Sequence, residues 1–180
     1  LFSPVPLTVT DDLHVSLLVV RQRKRFIFEP GAVAFIRMPS RDARHELERR
    51  RRIVSTRMRG VFIMRELLNP FRFGVYSFGL FVSKVVRSFL PAALIFLFLT
   101  SAHLAFYSTL IALFFLSQSL FYATALSYPL FLKKMKGRLF EKVGSIAYYF
   151  CVGNIGTFLG LMDWAQGRET AKWEPKKTDG

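Results

Sequence analysis

The chain has 180 residues, 52% of them hydrophobic and 16% aromatic, with 26 basic and 12 acidic side chains and a net charge of +14. That composition excludes a disordered tail, and the single cysteine, Cys151, excludes a disulfide framework or a Cys-based zinc site. So basic a chain points to nucleic acid or to an anionic membrane surface; no recognition-helix motif is present, and the basic residues adjoin long apolar runs, so the membrane is favoured and nucleic acid is not expected as a partner.

The chain opens LFSPVPLTVTDD at Leu1 rather than Met. It has no basic segment followed by an apolar one, as a secretory signal would, so the opening reads as an interior cut, an unusual start or a fragment. Residues 13–20 (LHVSLLVV) read as a buried strand or a short helix, followed by the basic run 21–25. Pro30-Gly31 marks a turn. Residues 32–36 read as another strand, and Pro39-Ser40 breaks the chain. A helix is expected from Asp42 to about Met58, because an acid in the first turn suits the helix dipole. Its apolar positions Ala43, Leu47, Val54 and Met58 fall near one stripe, with Arg44, Arg49, Arg51 and Arg52 opposite. Gly60 is expected to interrupt it. An amphipathic helix then resumes over 61–68 and stops at Asn69-Pro70. Residues 71–89 are rich in Phe and carry Lys84 and Arg87, the pattern of a helix lying in the membrane interface.

Residues 88–132 contain no Lys, Arg, Asp or Glu, and neither do residues 143–162. A crossing helix needs about 20 apolar residues, so the first run predicts two spans, 88–107 and 109–131, joined near Tyr107. The second predicts a third span at 143–164. Before the first span stand Arg57, Arg59, Arg65, Arg72, Lys84 and Arg87; after the second stand Lys133, Lys134, Lys136, Arg138 and Lys142. Both flanks are therefore expected on the cytoplasmic side. Three full crossings place the tail outside, whereas a re-entrant or shallow third helix keeps it inside. In the third span, Gly153, Gly156 and Gly160 permit close helix approach, with the first two spans or another subunit as partner. His14, His45 and His103 have no metal-ligand spacing and read as surface or packing residues.

Two features bear on chemistry. Asp11 and Asp12 stand at the head of the 13–20 element. Either Thr10 or Asp11 caps a helix there, or a carboxylate is placed to take a proton from a hydroxyl. The run Arg49–Arg52 reads as a solvated face, as an attraction to anionic lipid, or as a site for phosphate oxygens, which guanidinium forks bind in pairs.

The order TDDLHVSLLVVRQRKRFIFEPGAVAF, HELERRRRI, LLNPFRFG, SKVVRSFLP, three apolar spans and GRETAKWEP resembles the C-terminal portion of membrane-bound family 2 glycosyltransferases, relatives of cellulose, hyaluronan and poly-N-acetylglucosamine synthases. The resemblance implies a mainly α membrane protein. A fragment of a GT-A domain, a small α/β remnant, would occupy 1–40, with basic and interfacial amphipathic helices at 41–87. Three transmembrane helices at 88–164 and a polar tail at 165–180 complete it. The resemblance further implies that Asp12, beside Asp11, is the general base of an inverting transfer of sugar from a nucleotide donor to a lipid-linked or saccharide acceptor. The family's Gln-(Gln/Arg)-x-Arg-Trp motif lands on residues 49–53. There Arg50 and Arg52 match, Arg49 replaces Gln and Ile53 replaces the acceptor-stacking Trp, a departure that favours transfer of one or a few sugars. Arg49, Arg50 and Arg52 would then hold the leaving diphosphate. The family's DxD motif is absent. The nucleotide sugar and its divalent metal (Mg or Mn) are accordingly expected in a donor half outside this chain, with no metal or cofactor held here. The implied location is the inner membrane, multi-pass, with the N-terminal part cytoplasmic and anionic lipids as partners. The alternative is a non-catalytic small membrane subunit of a larger complex, descended from such an enzyme.

Overall fold

The computed structural model describes residues 6, 8–25, 27, 29–33, 42–130 and 138–168. Every regular element among them is helical. The strand component expected at the front is therefore not found there. Residues 13–20 belong to a helix, α1 (Asp11–Arg21), because Leu17 and Leu18 fall on one side of it and are buried. Ala32 and Val33 have no regular structure, and residues 34–36 lie outside the described set.

The basic helix α2 (Ala43–Ile63) starts where Asp42 predicts but runs through Gly60. Gly60 is a point of close approach rather than a break: a Cβ there would stand 2.9 Å from Val9 Cγ1 and 3.4 Å from Leu13 Cδ2. The helix turns into a 3₁₀ segment (Arg65–Leu68), and Asn69 then caps the one-turn helix α3 (Pro70–Phe73) by accepting the Phe71 N–H at 3.0 Å. Pro70 sits in that first turn, where its missing N–H costs nothing. A small core joins α1 to these turns, built from Leu17, Leu18, Met64, Leu67 and Leu80. The Arg21–Glu66 ion pair closes its edge at 2.5 Å.

Gly74, with φ +59, lets the chain turn into a long helical rod. The rod comprises α4 (Val75–Leu80), a π turn (Phe81–Val85), a 3₁₀ turn (Val86–Phe89) and α5 (Leu90–Leu104). The expected interfacial helix is thus continuous with the first span, 30 residues in all. At 1.5 Å per residue the rod is about 45 Å long, against a hydrocarbon layer of about 30 Å. The excess is the irregular end that carries Lys84 and Arg87. Its irregularity has a cause in Pro91, whose ring excludes a regular hydrogen bond to the preceding turn.

Residues Ala105 to Ser108 turn the chain, and α6 (Thr109–Ser127) returns beside α5, as the uncharged run predicts. The two are zipped by Gln118 Nε2 donating to Ser101 Oγ at 3.2 Å, and by Phe98 against Phe115 and Tyr122 at 5.2 and 5.5 Å. Hydroxyls on these helices are satisfied within the helix: Thr100 donates to the Phe96 carbonyl and Ser119 to that of Phe115, both at 2.8 Å. The last helix, α7 (Arg138–Ala165), is 28 residues long. The rod, α6 and α7 are each long and apolar enough to cross a membrane.

Candidate functional site

Asp12 lies exposed in the first turn of α1. Its Oδ1 accepts the Leu13 N–H at 2.7 Å, and its backbone carbonyl accepts the Ser16 hydroxyl at 2.6 Å. Thr10 holds the N-cap position with extended backbone, but its side chain makes no capping bond. Asp11 is exposed one position earlier and does not cap either. Both carboxylates are therefore in the first turn, and Asp12 remains open to solvent.

Two cations from other elements, Arg57 and Lys84, lie within electrostatic reach of Asp12, and Arg87 lies within reach of those two. The buried part of the Arg57 guanidinium is held below its ordinary pKa, first by loss of hydration and then by repulsion from Arg87 and Arg50, with Asp12 opposing. Lys84 is within electrostatic reach of Arg57, Arg87 and Asp12. Asp12 thus shares an electrostatic neighbourhood with the cations of α2 and of the irregular end of the rod. Chemically, such cations can hold an anion while the carboxylate accepts a proton. Sequence reading named Asp12 but not Arg57 or Lys84 as its neighbours, because they come from separate elements.

The run Arg49–Arg52 is divided by the fold. Arg49 and Arg50 both donate to Glu46 on their own helix, at 2.9 and 2.7 Å through their Nε atoms. Arg51 turns the other way and forms a two-point pair with Asp163 of α7: Nε donates to Oδ2 at 2.5 Å and Nη2 to Oδ1 at 2.8 Å. That hydrogen bond raises the Arg51 pKa further above its ordinary value. Arg52 is shifted down by lost hydration and by the charge of Arg49. Among the described residues, Arg52 has no ion pair with a carboxylate.

The Arg51–Asp163 pair belongs to a longer seam. The face of α7 containing Gly156 and Gly160 packs on α2 rather than on the first two apolar helices. A Cβ at Gly156 would stand 2.8 Å from the Leu47 carbonyl and 2.9 Å from Arg50 Cβ; one at Gly160 would overlap the Arg51 carbonyl. Gly153 faces open space. Beyond the glycines, Trp164 meets Phe62 edge-on at 6.0 Å, and the Arg59 guanidinium donates to the Arg168 carbonyl. Asp163 is only 3% exposed. Its role was legible in principle, since a lone acid ending an apolar run demands a partner.

The other face of α7 meets the hairpin. Tyr148 packs on Tyr128 at 5.4 Å and Phe150 on Phe121 at 5.5 Å. An apolar cleft of about 330 Å³ lies between Pro91, Ile95 and Phe98 of α5 and Cys151, Ile155 and Phe158 of α7. Among the described residues, no three His, Cys, Asp or Glu side chains are grouped to hold a metal ion. Comparison with protein-family models, curated proteins and solved structures returns no match.

Proposed function

We propose that this chain is the membrane-anchoring segment of a longer inverting glycosyltransferase of family 2, which supplies the general base and part of the anion-holding surface. The donor half, with its nucleotide sugar and divalent metal, lies outside the chain in this reading. The observation behind the reading is an exposed carboxylate, Asp12 in the first turn of α1, within electrostatic reach of Arg57 on α2 and Lys84 on the rod. A sugar hydroxyl is a weak nucleophile at neutral pH. A carboxylate at Asp12 takes its proton as it attacks the anomeric carbon. Neighbouring guanidinium groups, with Arg52 among them, balance the charge that develops on the departing diphosphate. The rod fixes this surface at the inner face of the cytoplasmic membrane, where basic flanks prefer to stay. α5 and α6 form the anchoring hairpin, with the turn Ala105 to Ser108 on the far side.

In the full-length enzyme, Asp12→Asn removes the base and keeps the volume. Transfer is expected to fall by about 10²–10⁴-fold, with membrane insertion unchanged. Full activity in that variant rejects the assignment.

A second reading is favoured by one observation: Arg49, Arg50 and Arg51 are held by Glu46 and Asp163. An arginine run used for packing suits a non-catalytic subunit of a larger membrane complex. Purification of the native protein separates the two. Stoichiometric co-migration with other membrane proteins and no transferase activity supports the subunit; sugar transfer by the isolated full-length chain supports the enzyme.

A further inference from the structure

The hydropathy of α7 predicts a third crossing, but its neighbours do not fit one. We infer that α7 does not cross the bilayer and instead lies in the inner interface, one face against the base of the α5–α6 hairpin, the other carrying α2, and its exposed apolar flank on the inner leaflet. The inference rests on the membrane reading of the α5–α6 hairpin and adds the partner of α7 to it.

Two independent observations carry it. The first is the height at which α7 meets the hairpin. Gln118 pairs with Ser101 and Phe115 with Phe98, so in this antiparallel hairpin Phe121 to Tyr128 stand level with the first half of α5. α7 touches α6 at Phe121, Tyr122 and Tyr128, and α5 along Pro91 to Leu99. It also contacts the turn Val86–Phe89, below α5 on the charged side. A crossing helix that begins beside Tyr128 runs up the hairpin toward Leu104 and Thr109. The last turns of α7 instead rest on Phe62 and Arg59 of α2.

The second is the charge of its partner. α2 contains Arg44, Arg49, Arg50, Arg51, Arg52, Arg57 and Arg59. It packs directly on Gly156 and Gly160, the middle and end of the would-be span. Were α7 to cross, that helix would lie in hydrocarbon and its guanidinium groups would lose their hydration, with Glu46, Glu48 and Asp163 as the nearby acids. In the interface the same arginines reach water and lipid phosphate. Ile155 and Met162, seven residues apart and so on one side of α7, are 51% and 41% exposed beside the α2 contact. The cleft under Ile155 and Phe158 opens beside them and is lined without charge, a place for inner-leaflet acyl chains. A helix with one apolar face and a polar partner on the other is the kind that lies flat on a bilayer.

Two measurements on the full chain in its own membrane test this, in a Cys151→Ala background with one cysteine added at a time. Gln166→Cys, after α7, should resist an impermeant maleimide in intact cells and react after permeabilisation, as Val33→Cys in the front part does. Ser108→Cys in the hairpin turn should react in intact cells. Labelling of Gln166→Cys together with Ser108→Cys in intact cells overturns the inference and leaves the membrane reading standing. Failure of Ser108→Cys to react until permeabilisation overturns the membrane reading itself, and the inference with it.

Discussion

α6 and α7 are both apolar enough to cross a bilayer, and both lack charge over most of their length. α6 buries Ala125 and leaves Leu110, Leu113, Leu116 and Leu120 exposed along one face. α7 buries Ala147, Val152, Gly156, Gly160 and Asp163, and the buried side of its second half is held by a helix with seven arginines. One helix leaves an apolar face uncovered; the other packs one face on the α5–α6 hairpin and the other on a basic helix. Hydropathy averages over the circumference, so it registers the first case fully and the second only in part.

That contrast is broken most severely by filling the seam. Gly160→Val puts a branched side chain where a Cβ already overlaps the Arg51 carbonyl, and α2 must shift away. A loss of about 3 kcal/mol is expected, read as a lower unfolding temperature in detergent together with new trypsin cleavage at the arginines of α2. A charge placed on α6 tests the other side of the comparison. Leu116→Arg, near the middle of α6, is expected to cost about 3 kcal/mol of insertion, whereas Ile155→Arg on α7 should reach the interface and leave the inserted fraction nearly unchanged. Equal losses for the two positions would put them in the same environment.

Smaller effects sharpen the account. Asp163→Ala strips Arg51 of its partner; because the arginine side chain is 41% exposed, water recovers part of the loss and about 1–2 kcal/mol is expected in chemical denaturation. Phe62→Ala removes the edge-on contact with Trp164 and should cost about 1 kcal/mol or slightly more by the same assay. Leu113→Ala on the lipid face of α6 should change stability by less than about 0.5 kcal/mol, since lipid or detergent replaces the lost contact. A larger loss at Leu113 than at Asp163 would mean that α6 is covered by protein after all.

Much of this architecture was legible in the order of residues. The uncharged run 88–132 gave two spans and their turn, because forty-five residues without a charge leave few alternatives to lipid. Asp42 marked the start of α2 correctly, and Asn69-Pro70 stands where the helical segment after α2 ends and Asn69 caps α3. Three features escaped. Gly60 was read as a helix breaker, whereas the absent Cβ serves the contact with Val9, a neighbour fifty-one positions away that no local pattern encodes. Gly156 and Gly160 were recognised as a packing face, but the face does not say which helix fills it. The front element was open between strand and helix, and burial of Leu17 and Leu18 against Met64 and Leu67 fixes it as helix. Of the site residues, Asp11 and Asp12 announce themselves as neighbouring acids in a basic front half. The division of Arg49–Arg52 between Glu46 and Asp163 depends on an ion pair spanning 112 residues, which periodicity cannot reveal.

The central claim is that the arginine helix is docked on the last apolar helix. Cysteines replacing Arg50 and Gly156, in a Cys151→Ala background, test it most directly, since the Cβ positions lie 2.9 Å apart and a disulfide needs only a small outward shift. Mild oxidation of the membrane-bound chain should join the two within one molecule, so that cleavage by trypsin between them leaves the fragments linked until a reductant is added. Two cysteines that stay free and react separately with maleimide would contradict the account.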